Sequence, residues 1–168
     1  TRILLSTRQF ADALKAAKEF ERTYNRKNLR MNIQLSDQIK LARVYFANGL
    51  LRESLKRINE LINGKSTEIS LEFSIHAHLM RLCIHYDLDN YSVLEHLSQT
   101  AKRFLEKHEA TDDFAFTFIE LIRQISKTDV QKKHREVFSA YLPILKKQFK
   151  EPFEQNSDLI LWVEGKLK

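Results

Sequence analysis

The sequence predicts an all-α chain built from helical hairpins that stack on one another. Three observations carry that prediction. Its 168 residues hold only 3 Gly and 2 Pro, whereas sheet proteins need many turns and spend both residues on them. Apolar residues recur at the helical period along most of the chain. The stretch from Leu41 to Ile58 reads as two helices hinged at Gly49, with large and small residues ordered so that one hairpin packs on the next. Such hairpins cannot bury their apolar faces alone. They stack into α-α superhelices, which mostly bind other molecules.

Each element has its own signal. Ser6 to Gln9 has capping-box spacing. Phe10, Ala13, Leu14, Ala17, Phe20 and Tyr24 then follow at helical intervals, so a helix is expected over about 7–25. The polar run Asn25–Asn28 opens a connector. The next helix, about 33–47, spreads Leu35, Ile39, Leu41, Ala42, Tyr45 and Phe46 over more than one face, which places it between neighbours. Asn48-Gly49 ends it with a left-handed cap. A helix over about 51–63 closes at Asn63-Gly64. Ser66 or Thr67 caps a longer helix, about 68–87, with two apolar stripes. Asp87 to Asn90 turns the chain into a helix over about 91–108.

Thr111-Asp112-Asp113 sets a cap and two acids at the positive end of a helix dipole. The helix it opens, 113–126, is dense in Phe and Ile and is expected to be central. Thr128 caps the next segment, with Gln131 in capping-box position. Pro143 falls inside it, and because the periodicity continues beyond, a kink near 139–143 is expected. Pro152 ends that segment, and Asn156 or Ser157 caps a last short helix. No interior linker rich in Gly, Ser or Pro divides the chain. A single domain of about seven or eight helices is expected.

Composition narrows the function classes. A 43% hydrophobic and 30% charged chain is an ordinary globular balance. No apolar run approaches the roughly 20 residues that span a bilayer, and no signal-peptide layout opens the chain. Cys83 is the single cysteine, so no internal disulfide forms, in keeping with a reducing compartment. A cytoplasmic location is expected. The chain begins at Thr1 inside an apolar pattern, which is expected of a piece of a longer protein. The net charge of +6 is uneven: residues 1–67 carry +8, 68–128 carry −4 and 129–168 carry +2. The basic N-terminal half would favour an acidic partner, although charge runs mostly face water.

Leu41-Ala42-x-x-Tyr45-x-x-x-Gly49-x-Leu51-x-x-Ser54-x-x-x-Ile58 resembles a tetratricopeptide repeat, a helix-turn-helix unit of about 34 residues. Leu41-Ala42 is its large–small pair, Tyr45 its aromatic and Gly49 its turn glycine. Ser54 stands where a small residue lets two helices approach. Leu82-Cys83-x-x-Tyr86-x-x-x-Asn90 repeats the order with Asn90 in place of the glycine. Phe10-x-x-Ala13-Leu14-x-x-Ala17 resembles the second helix of a preceding repeat. Residues 7–65 therefore read as a partial plus a well-formed repeat, 66–110 as a lengthened repeat, and 111–168 as a divergent helical cap. The layout is similar to the C-terminal portion of long bacterial tetratricopeptide-containing proteins.

The resemblance implies a partner surface on the inner face of the first helices. It assigns that face to Ser36, Ile39, Arg43, Phe46, Ala47, Ala77, Met80, Ile84 and Asp87. Core packing is the plainer reading of Ile39, Phe46, Met80 and Ile84. The family's carboxylate clamp needs Lys, Arg and Asn, and only Arg43 suits it.

The residues offer little chemistry. Three isolated glycines build no phosphate loop. His76 and His78, two apart on a helix, point to different sides and share no metal. Glu72 and His76 have the spacing of a surface pair, and Cys83 sits in the small-residue slot as a buried hydrophobe. No metal, cofactor or catalytic residue is expected. The expected function is a non-enzymatic scaffold or adaptor that binds a protein or peptide partner. The alternative is a regulatory helical domain touching nucleic acid or another acidic partner through the basic stretches 22–30 and 132–150. The absence of a nucleic-acid motif disfavours it.

Overall fold

A computed structural model describes residues 10–23, 31–64, 70–128, 130–149 and 154–168, the side chains of 22, 23, 31–36, 131, 154 and 155 aside. The described residues are about 85% helical and contain no strand. Their eight helices are α1 (Phe10–Thr23), α2 (Met31–Ala47), α3 (Leu51–Asn63), α4 (Leu71–Asp87), α5 (Tyr91–Lys107), α6 (Asp113–Ser126), α7 (Gln131–Gln148) and α8 (Glu154–Gly165). Adjacent helices pack on one another, as in an all-α helical-repeat array. The chain divides into two compact units, residues 1–77 and 78–168. The division falls inside α4 rather than at a linker.

In the first unit, α2 packs on both α1 and α3. Ala13 and Ala17 of α1 meet Leu41, Val44 and Tyr45 of α2 in one buried cluster, with Leu14 and Leu50 at its edge. The two alanines let the helix axes approach. Across the α2–α3 hairpin, the Ser54 hydroxyl donates to the Ala42 carbonyl at 2.8 Å, and both residues are fully buried. The Asn48 amide donates to the Phe10 carbonyl at 3.0 Å and to the Val44 carbonyl at 2.8 Å, tying the end of α2 to the start of α1. Glu21 accepts from the Tyr45 hydroxyl and from the Arg57 guanidinium, which joins all three helices.

Three helices end in the same way. The Gly49 N–H donates to the Phe46 carbonyl and the Leu50 N–H to the Tyr45 carbonyl. Asp89 and Asn90 repeat this on Tyr86 and His85, and Glu109 and Ala110 repeat it on Glu106 and Leu105. Gly49, Asp89 and Glu109 are the left-handed residues, with φ of 71°, 57° and 51°. This is the Schellman arrangement, which satisfies the last carbonyls of a helix. It also corrects the repeat register. Asp89, not Asn90, stands at the position of Gly49, so the two hairpins are offset by 40 residues rather than by the 41 that separate Tyr45 from Tyr86. Burial agrees with that offset: Ser54, Ile58 and Leu61 correspond to Leu94, Ser98 and Ala101, all buried.

In the second unit, α6 is central, as its composition predicts. Phe114, Ala115, Phe118, Ile119, Leu121, Ile122 and Ile125 are all buried, and α6 packs on α5 and α7. Each large apolar side chain so buried contributes about 2 kcal/mol. Asp112 caps the helix by accepting from the Ala115 N–H at 3.1 Å.

Some expected boundaries move. Ser70 sits at the described start of α4, its hydroxyl accepting from the Phe73 N–H at 3.4 Å. The expected caps Ser66 and Thr67, like the expected capping box at Ser6–Gln9, lie outside the described residues. Val130, not Thr128, stands at the N-cap position of α7 and offers no side-chain cap; the Thr128 hydroxyl accepts from the Val130 N–H in the preceding turn. The last helix begins at Glu154, ahead of Asn156 and Ser157. Helix α7 runs on through Pro143, which faces solvent.

Candidate partner-binding surface

The residues assigned to the inner face separate by depth. Ile39, Ala77, Met80 and Ile84 are buried core. On α2, Arg43 and Phe46 are half-buried and Ala47 is exposed. The Ser36 side chain lies outside the described residues. Residues 36–77 of this set belong to the first unit, whereas Met80, Ile84 and Asp87 belong to the second.

Asp87 is engaged by the chain itself. One carboxylate oxygen accepts from the Trp162 indole N–H at 2.9 Å, and the other pairs with Lys166. Both partners lie on or just past α8 and are four residues apart, so they share one face of that helix. The Lys166 ammonium also lies over the rings of Tyr86 and Trp162, 5.3 and 5.2 Å from their centroids. Such placement adds cation–π attraction to the ion pair. Tyr86 meets Phe138 and Trp162 edge-on, each at 5.4 Å. Sequence reasoning missed this cluster; its one local signal is the Trp162-x-x-x-Lys166 spacing.

The histidines do different work. His76 is buried with neither ring nitrogen partnered. Burial first, and the Arg43 charge second, push its pKa down to about 3. The His78 ring meets that of Phe104 at a tilt, centroids 4.5 Å apart. Burial and then the Arg81 charge push it down to about 4. His134, read from the sequence as part of a basic surface cluster, is buried instead. Its Nε2 is 2.6 Å from the Thr128 carbonyl oxygen and its Nδ1 is 3.4 Å from the Tyr86 hydroxyl. Lys132, Lys133, Lys146 and Lys147 remain exposed around it, with Lys146 paired to Glu164 at 2.6 Å. Cys83 is fully buried, and burial raises its thiol pKa well above the ordinary value. Among the described residues no three His, Cys, Asp or Glu side chains converge as a metal set, and no helix is long and apolar enough to cross a membrane.

No protein-family model matches this chain, and searches of curated proteins and of solved structures return no match. What remains is the local geometry. In the first unit the accessible part of the assigned surface is the C-terminal end of α2: Arg43, Phe46 and Ala47. In the second unit it is Asp87, already occupied by Trp162 and Lys166.

Proposed function

We propose that the chain is a tetratricopeptide-like helical scaffold, acting in the cytoplasm without chemistry of its own, that binds a protein or peptide partner. The observation that carries this reading is the recurrence of one hairpin device, a helix closed by a Schellman cap and followed by a second packed helix. Repeated hairpins build extended surfaces, and those surfaces serve recognition. The partner would meet the C-terminal end of α2, where Phe46 and Ala47 give apolar contact and Arg43 adds charge. Panning a random peptide library against the 168-residue chain tests this. Selected peptides should lose affinity about tenfold on Ala47→Arg, which blocks the surface, or on Phe46→Ala, which removes an aromatic contact. Peptides that bind both folded variants as well as the parent chain would overturn the assignment.

A further inference from the structure

The 40-residue offset between hairpins places Arg81 at the position of Leu41 and His85 at that of Tyr45. In the first hairpin both positions are core, each 6% exposed. In the second they hold a guanidinium and an imidazole, both half-buried. His78 lies three residues before Arg81 and His85 four after, so the three share a stripe of α4. At about 100° per residue, that stripe lies roughly a third of a turn from Met80, Ile84 and Asp87.

Two nitrogens of the stripe are left without partners. Arg81 Nε and His78 Nδ1 are enclosed and without hydrogen-bond partners. His78 is itself only 6% exposed. Its ring is held by Phe104, which meets His108 in turn, each pair tilted with centroids 4.5 Å apart. His85 Nδ1 has a 3.4 Å approach from the Asn90 amide. Arg81 is the sole Lys or Arg between Lys65 and Lys102. Burial lowers its pKa, and no carboxylate among the described residues offsets that. Burial first, and the Arg81 charge second, lower the pKa of both His78 and His85. A half-buried cation with an orphaned N–H is costly unless an anion completes it.

We propose that Arg81, flanked by His78 and His85 on α4, is a receptor for a single carboxylate group. The guanidinium fork donates to the two carboxylate oxygens. His78, held by Phe104, lies on the same stripe of α4 as the fork. Charge selects the ligand. With both imidazoles neutral, the site holds one positive charge, which one carboxylate cancels. A phosphate monoester, with about −1.5 to −2 at pH 7, would leave uncompensated negative charge in a half-buried site. The carboxylate is supplied either by a small organic acid or by an acidic side chain of a polypeptide.

Nuclear magnetic resonance on the labelled 168-residue chain tests this at pH 7. The Arg81 Nε–H and the His78 and His85 ring signals are followed during titration with sodium acetate, with the peptide amide acetyl-Ala-Glu-Ala, and with inorganic phosphate. Sodium chloride serves as the ionic-strength control. Acetate is expected to give saturable shifts at all three residues, with phosphate about tenfold weaker. Saturation by acetate and peptide alike indicates a small-acid source; peptide binding about tenfold tighter than acetate indicates an acidic side chain. Arg81→Gln should abolish saturation at His78, and Arg81→Lys, which keeps the charge without the fork, should weaken it. Acetate shifts that merely track sodium chloride would overturn the proposal. So would phosphate binding as tight as acetate, or an Arg81→Lys variant that binds acetate like the parent chain.

Discussion

The hydroxyl of Ser54 on α3 donates to the carbonyl of Ala42 on α2, 2.8 Å apart and shielded from water. The small residue permits the approach, and its hydroxyl is satisfied in it. Ser54→Ala keeps the space and loses one hydrogen bond, so it should cost about 1 kcal/mol. Ser54→Leu overfills the same gap and should cost about 1–3 kcal/mol. Urea midpoints followed by circular dichroism check both. Equal losses would argue against close approach as the reason for a small residue here.

The three left-handed caps predict opposite effects of glycine. Gly49 has φ of 71° with no neighbour near an added Cβ, so Gly49→Ala should cost about 1 kcal/mol from backbone strain alone. Asp89 and Glu109 already bear that strain, at φ of 57° and 51°. Asp89→Gly and Glu109→Gly should each stabilise by roughly 0.5 kcal/mol. Thermal melts of the three single variants give the signs.

Buried neutral histidines make stability fall in acid. The pKa of His76 is pushed down to about 3 by burial and then by Arg43, and that of His78 to about 4 by burial and then by Arg81. Both imidazoles titrate near 6.5 once the chain unfolds. The unfolded chain therefore binds more protons below pH 6.5. Stability is full above that pH and declines as pH falls toward 4, by about 1.4 kcal/mol per pH unit for each imidazole. His76→Leu removes one of these groups along with two orphaned ring nitrogens. It should flatten the decline between pH 6.5 and 4 and be neutral or stabilising at pH 7. Urea unfolding at pH 7, 6 and 5 measures the slope.

Asp87 predicts a fluorescence change. Trp162 is the sole tryptophan, and its indole N–H donates to Asp87 at 2.9 Å. Asp87→Ala removes the acceptor of a nearly buried donor and the partner of Lys166, and should cost roughly 2 kcal/mol. Emission should shift to the red as α8 loosens. Asp87→Asn keeps an oxygen for the indole while dropping the charge, so its loss should be smaller. An unchanged spectrum in Asp87→Ala would sink the claim that this carboxylate holds the last helix.

Much of the architecture was legible in local sequence. Helical periodicity placed α3 and α6 to the residue, because their ends carry glycine or an acid cap and their buried faces recur regularly. Gly49 announced its left-handed cap because glycine alone takes positive φ without strain. The second cap was misplaced by one residue because Asp89 adopts the same conformation without being glycine, so the side chains around Tyr86 gave a false register. The depth of the candidate surface was no more readable. Met80 and Ile84 have the spacing of a binding stripe and of a core alike, and only packing decides between them.

By itself, then, the sequence determined that the chain is helical, where α3, α5 and α6 begin and end, and that α6 is densely buried. These follow from period, capping and composition, which act over a few neighbouring residues. Tertiary structure decided that Asp87 is taken by Trp162 and Lys166, that His134 is core, and that Arg81 and His85 stand where the first hairpin has Leu41 and Tyr45. Those outcomes depend on which side chains meet across tens of residues of chain. Close packing, rather than local propensity, selects them.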